Sequence, residues 1–286
     1  PRSTLFPYTT LFRSAFQCAI QLGDAVDADL LVATDPDCDR VGVMARRAGK
    51  WQALTGNQVG CLLLEYLLNA QPPKKGAYAV KTIVTTRMAD AIGKAHGIDV
   101  YNVLTGFKFI GETIQKKLDE GNDGFVLGFE ESYGYLTGGY VRDKDAVIAS
   151  TLICEMAAQY KSEGKTLADA LEALFQKYGY YKEGTINVTM KGMDGLRLRN
   201  EKMNALRANA PATIGGLRVE NVVDYKNGAR GLPPSNVLLY DLADGAWLCV
   251  RPSGTEPKLK LYFGVRGNTA QEAETLASAM MADAAR

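Results

Sequence analysis

The sequence predicts an α/β protein, with a parallel sheet covered by helices in its central part and an α+β layer towards its carboxyl end. Three observations predict this. Short β-prone runs alternate with helical periods between residues 78 and 160, the pattern of a helix-covered parallel sheet. A loop of alternating aspartates follows directly on a buried-strand run at 29–34. After Tyr180 the order changes, and several strands stand between a few helices.

Within 15–26, Phe16, Ala19, Ile20 and Val26 recur at near-helical spacing and lead into the apolar run 29–34. The extended run 41–45 follows the aspartate loop and stops at a polar turn over 46–50. Thr55-Gly56-Asn57-Gln58 reads as a helix start, and the helix runs to about residue 68 before the punctuation Gln71-Pro72-Pro73-Lys74-Lys75-Gly76. Strand 78–85, helix 87–96, strand 100–104, helix 110–118, strand 125–129 and helix 144–160 then alternate. A polar break at 161–165 precedes a short amphipathic helix, 166–178, that opens on a Thr cap and connects to the last unit. That unit reads as strand 185–190, helix 193–208, strands 217–225, 237–240, 246–251 and 258–265, and helix 269–285.

A chain of 286 residues has room for two or three compact units. The boundaries expected here are a non-native or unstructured leader at 1–14, a partial unit at 15–54, an α/β unit at 55–162, and the connecting helix with the α+β unit at 163–286. Thirty-three basic side chains against 32 acidic ones give a net charge of +1, so no long-range field draws the chain to nucleic acid or an acidic membrane. The five cysteines are scattered without a C-x-x-C pair, which excludes a disulfide framework or zinc site and points to the cytoplasm. The longest apolar run, near 59–68, is too short for a membrane span and is broken by Glu65.

Four segments carry chemistry. Asp35, Asp37 and Asp39 in Asp35-Pro36-Asp37-Cys38-Asp39-Arg40 are carboxylates at alternate positions, suited to a hard cation such as Mg²⁺. An EF-hand fails because its sixth and twelfth positions hold Arg40 and Arg46. Three carboxylates leave octahedral positions open for water and a phosphate oxygen. Thr105-Gly106-Phe107-Lys108-Phe109 falls between a strand and a helix, at the sheet edge where open α/β folds bind ligands, and offers Lys108 to an anion. Glu130-Glu131-Ser132-Tyr133-Gly134-Tyr135 ends the next strand with acids, a hydroxyl and aromatic rings, a set able to bind sugar hydroxyls. Arg251-Pro252-Ser253-Gly254-Thr255-Glu256-Pro257-Lys258 packs a guanidinium, two hydroxyls and a glycine into the form of a phosphate nest. Taken singly, each also reads as a polar turn.

In this order and at these separations, the four segments closely resemble the α-D-phosphohexomutases, the phosphoglucomutase and phosphomannomutase superfamily, over residues 15–286. The forms of the first and third look most like bacterial α-phosphoglucomutases. The resemblance implies parallel-sheet α/β/α domains, a partial second and a complete third, followed by the C-terminal α+β domain. It implies Mg²⁺ held by Asp35, Asp37 and Asp39, with Arg40 beside it and Lys108 as the basic residue of the third domain's loop. Gly106 and Lys108 join Glu130 and Ser132 at the sugar, while Arg251, Ser253, Gly254 and Thr255 grip the phosphate that is not transferred. The implied reaction interconverts glucose 1-phosphate and glucose 6-phosphate through a phosphoserine and a bisphosphate, with glucose 1,6-bisphosphate as activator.

Two departures stand out. No Ser-His-Asn-Pro-type segment occurs, and the second domain is expected to lack its earlier strands and helices, with residues 1–14 in their place; Gly134 also stands where some relatives carry a histidine. The expectation is a chain lacking the phosphoserine domain and inactive by itself. A non-catalytic sugar-phosphate binder and a mannose- or pentose-phosphate mutase are the alternatives. An aspartate-nucleophile phosphatase ranks below them, because Asp39 stands where that type wants Thr or Val.

Overall fold

A computed structural model describes residues 16–190, 194–253 and 256–284, so the leader at 1–14, the first residue of the helix expected from 193 and the last of that expected to 285 lie outside it. The chain divides after Tyr178 into two units.

In the first unit, β1 (Leu30–Thr34), β2 (Val41–Arg47) and β3 (Lys50–Leu54) form a sheet of that order. Both pairings are antiparallel, which corrects the expectation of a parallel sheet for this partial domain. Short connections are the reason, because a parallel pair needs a crossover of a dozen residues or more. Ala48 and Gly49 join β2 to β3 with φ of 47° and 76°, a two-residue turn whose twist matches the strands. The helix α1 (Gln17–Ala25) covers this sheet where Phe16, Leu31 and Met44 cluster, and Arg46 lies 4.4 Å over the Trp51 ring.

The second sheet of this unit runs β5-β4-β6-β7, from β4 (Tyr78–Thr82), β5 (Asp99–Val103), β6 (Phe125–Glu130) and β7 (Gly134–Leu136). β4 pairs in parallel with both β5 and β6, as the alternation required, and β7 closes the edge antiparallel. The helices α2 (Gly56–Ala70) and α4 (Phe107–Asp119) cover opposite faces, since a Cβ at Gly60 would strike the Phe129 ring while one at Gly128 would strike Ile110. Thr55 and Gln58 start α2 with a reciprocal capping box. α4 starts three residues before the expected 110, so Lys108 belongs to a helical turn and not to a connecting loop.

Glu65 joins three helices of this unit. Its carboxylate meets His96 at 3.0 Å in α3 (Met88–His96) and Lys177 at 2.8 Å and Tyr178 at 2.9 Å in α6 (Leu167–Tyr178). Burial pushes this carboxyl up, but the three partners outweigh it and hold Glu65 below the ordinary glutamate value. These contacts draw α6, expected as a connector counted with the last unit, into the first unit.

The C-terminal unit is a six-stranded antiparallel sheet ordered β8-β13-β12-β11-β10-β9, the expected α+β layer. β8 (Tyr180–Thr189) begins five residues before the expected 185, because all ten of its residues pair with β13 (Lys258–Gly267). β9 (Thr213–Ile214), β10 (Leu217–Asp224), β11 (Leu238–Leu242) and β12 (Trp247–Pro252) complete it. Met203 of α7 (Gly195–Ala208) and Ala277 and Met280 of α8 (Ala270–Ala284) are buried with Leu261 and Phe263 of the sheet.

Candidate functional site

The aspartate loop joins β1 to β2. Asp35 closes it twice, donating its N–H to the Arg40 carbonyl at 3.3 Å and accepting at Oδ1 from the N–H groups of Asp39 (3.2 Å) and Arg40 (3.0 Å). Cys38 takes the left-handed backbone (φ 58°) and donates its N–H to the Asp35 carbonyl at 3.0 Å, so the chain folds back over three residues. One carboxylate oxygen from each of Asp35, Asp37 and Asp39 lies within 4.8 Å of the others. Three oxygens around one Mg²⁺ must lie within about 4.2 Å, twice the ~2.1 Å bond, which small side-chain rotations reach. Burial pushes the Asp35 carboxyl up, but the Arg40 N–H and the Asp39 groups outweigh it and hold it below the ordinary aspartate value. The residues therefore fit a hard divalent cation.

The Glu130–Tyr135 segment is fastened to this loop. Val41 donates its N–H to the Tyr133 carbonyl at 3.1 Å, and Arg40 forms an antiparallel bridge with Gly134. Glu130 is buried at the end of β6, and Ser132 is partly exposed. Tyr133 turns the chain with φ 70°, and Tyr135 donates its hydroxyl to the Gly56 carbonyl at 3.1 Å. Thr82 at the end of β4 donates to Glu131 at 3.3 Å. Two of the four sequence segments are thus in direct contact within one unit.

Lys144 was missed by sequence reasoning, which placed it inside a helix. It precedes the helix α5 (Ala146–Ser162), whose cap is Asp145, and its ammonium lies 3.1 Å from Asp39 Oδ2 and 2.9 Å from Asp143 Oδ1. Burial lowers its proton affinity, but these carboxylates outweigh that and raise it above the ordinary lysine value. The ammonium is 5.3 Å from the Phe107 ring centroid, which brings the start of α4 beside the metal loop. The available signal was Asp143-Lys144-Asp145 ahead of an apolar run, a cap with a cation inside it.

Lys108 is exposed in the first turn of α4, with its ammonium 4.9 Å from the Phe109 ring centroid. Gly106, just before it, has φ 119°, a conformation that favours glycine. Arg40 keeps its side chain half exposed, 3.8 Å from Asp39 Oδ1.

In the C-terminal unit, Arg251 is the penultimate residue of β12, with its guanidinium 5.9 Å from the Tyr262 ring centroid. Ser253 is buried, donates its N–H to the Lys258 carbonyl at 2.9 Å and accepts from the Glu256 N–H at 3.3 Å. Gly254 and Thr255 lie outside the described residues.

Two family models match the chain: "Phosphoglucomutase/phosphomannomutase, alpha/beta/alpha domain III" over residues 55–178 and "Phosphoglucomutase/phosphomannomutase, C-terminal domain" over 186–282. A phosphoglucomutase of Staphylococcus aureus (strain USA300) is 37% identical over 264 residues, covering 88% of this chain and 47% of its own. One of Staphylococcus haemolyticus is 37% identical over 265 residues, covering 88% and 48%. The chain thus spans about half the length of the curated relatives it matches. Among solved structures, Paramecium parafusin, a phosphoglucomutase in its open form, has a TM-score of 0.66 at 20% identity over 89% of this chain and 43% of its own. A phosphoglucomutase/phosphomannomutase family protein of Burkholderia thailandensis has 0.64 at 18% over 95% and 50%. At these identities the two structures speak for the fold.

Proposed function

The chain belongs to the phosphoglucomutase/phosphomannomutase family, and we propose that it serves phosphoryl transfer between the 1- and 6-positions of a hexose phosphate, with glucose phosphate as the substrate. One observation carries the proposal: the loop that gathers three carboxylates within 4.8 Å is joined, through the backbone of Arg40 and Val41, to the segment that bears Glu130 and Ser132.

In this reading Asp35, Asp37 and Asp39 hold Mg²⁺, which when bound withdraws charge from the phosphoryl group in flight. Arg40 has the exposure to reach a phosphoryl oxygen, and Lys144 balances the charge of Asp39 beside it. Glu130 and Ser132 accept and donate to sugar hydroxyls and so orient the ring. Lys108 adds a cation at the start of α4, with Gly106 before it. Arg251, Ser253, Gly254 and Thr255 take the phosphate that is not being transferred, through the guanidinium, the hydroxyls and backbone N–H groups. The substrate binds in both orientations, and glucose 1,6-bisphosphate is the intermediate and the activator. The serine that donates the phosphoryl group has no Ser-His-Asn-Pro-type counterpart in these 286 residues, so it is to be sought outside them. The identity with relatives named phosphoglucomutase favours glucose over mannose or pentose.

Calorimetric titration of the chain with Mg²⁺ and with glucose 6-phosphate tests the site. Binding of both supports it, and binding of neither overturns it. A coupled assay with glucose 1-phosphate, glucose 1,6-bisphosphate and Mg²⁺ should show no turnover, and turnover would refute the need for an outside serine.

A further inference from the structure

Residues 137–145 join β7 to α5 and form neither helix nor strand, yet they carry the lysine that faces the aspartate loop. Arg142, two residues ahead of Lys144, ties this segment to α4. Its Nη1 donates to the carbonyls of Gly139 at 2.6 Å and Val141 at 3.1 Å, and its Nη2 donates to Gln115 Oε1 at 3.1 Å. One turn earlier on α4, a Cβ at Gly111 would come within 2.5 Å of the Arg142 carbonyl oxygen and 3.2 Å of the Arg142 Cβ. A further turn back, the Phe107 ring centroid lies 5.3 Å from the Lys144 ammonium. Positions 107, 111 and 115 are four apart and share one face of the helix, so a single stripe of α4 meets the segment at three successive points.

A connection that lacks ladder hydrogen bonds keeps its backbone freedom unless other contacts remove it. The planar guanidinium removes it here, because one Nη group bonds the segment's own carbonyls while the other bonds the helix. Gly111 lets the helix and the segment's backbone touch, which brings Arg142 within reach of Gln115. Lys144, two residues on, is thereby held with its ammonium 3.1 Å from Asp39 Oδ2.

We propose that Arg142 is a positioning residue: by fastening residues 137–145 to α4 it sets the Lys144 ammonium against Asp39, and through that contact it sets the affinity of the aspartate loop for Mg²⁺. This rests on the reading of Asp35, Asp37 and Asp39 as a cation site, and the experiment separates the two.

Mg²⁺ is titrated calorimetrically into the full chain, into K144M, R142M and G111A, and into the doubles R142M/K144M and G111A/K144M. Loosening the segment moves the ammonium away from Asp39, so R142M and G111A should each tighten Mg²⁺ binding by about threefold, part of the effect of removing the ammonium outright. In the K144M background neither should change it further, because both act through the same contact. R142M also removes a charge, but G111A removes none, and a general field effect would persist in the double variant. If R142M does not fold, G111A decides, and an unchanged affinity there overturns the proposal. Unchanged affinity in R142M, or an equal gain with and without Lys144, overturns the role of Arg142. An effect opposite in sign to that of K144M does the same, since it marks general damage to the fold. No effect of K144M itself overturns the proposal and leaves the cation site standing. No binding of Mg²⁺ by the unsubstituted chain overturns the cation site and the proposal with it.

Discussion

The ammonium of Lys144 lies 3.1 Å from Asp39 Oδ2, so one of the three carboxylates gathered for a cation already faces a positive charge of the protein. This side chain is largely buried, at 12% exposure, and is shared with Asp143. A fixed ammonium beside the ligand set lowers its negative charge and so its attraction for Mg²⁺.

Lys144→Met should therefore tighten Mg²⁺ binding by about fivefold, roughly 1 kcal/mol for one charge at partly screened distance. Calorimetric titration measures it, and weaker binding in this variant would show that the ammonium organises the loop more than it opposes the ion.

Gly134 lets the lysine stem pass: a Cβ there would come within 2.3 Å of Lys144 Cδ and 2.7 Å of its Cγ, both mid-chain atoms. Gly134→Ala should displace the ammonium from Asp39 and reproduce part of the Lys144→Met effect on Mg²⁺. The double variant should then show less than the sum of the two, because both act on one contact. Full additivity would separate Gly134 from Lys144.

Asp35 and Asp37 should separate in their effects. Asp35 accepts two backbone N–H groups, while Asp37 is exposed. Both Asp35→Asn and Asp37→Asn should weaken Mg²⁺ binding at least about tenfold through loss of a ligand charge. Only Asp35→Asn should also lower stability in urea, by about 1 kcal/mol, because its carboxylate closes the loop. Equal stability losses in the two variants would contradict this division.

Glu65 predicts a pH dependence. Its folded-state pKa lies below the ordinary glutamate value, so its contribution to stability is fully present above about 4.5 and fades as the pH falls towards and through the lowered value. Glu65→Gln should cost about 2–3 kcal/mol at pH 7, discounted from a fully buried pair because Lys177 is half exposed. The gap between the variant and the unsubstituted chain should narrow under acid. Urea unfolding at pH 7 and pH 4 reads it, and a constant gap would rule out the carboxylate as the cause.

Local patterns made much of the fold legible. Thr55 and Gln58 announced their capping box, and the alternation from residue 78 required the parallel pairing of β4 with β5 and β6. The sheet of β1, β2 and β3 is antiparallel where a parallel one is expected, because its short connections leave no room for a crossover. α4 begins at Phe107, ahead of the expected 110, because its first turn is held by the burial of Phe107 in one cluster with Val80 and Val103, which local spacing does not show.

By itself the sequence determined the types of donor at the site: aspartates at alternate positions for a hard cation, acids and a hydroxyl for a sugar, and arginine with serine for phosphate. Those types follow from chemistry that residue identity alone carries. The tertiary structure alone decided that Arg40 and Val41 pair with Gly134 and Tyr133, that Lys144 faces Asp39, and that Arg142 bonds Gln115. These contacts join segments tens of residues apart, and their distances are set by packing, which no local pattern records.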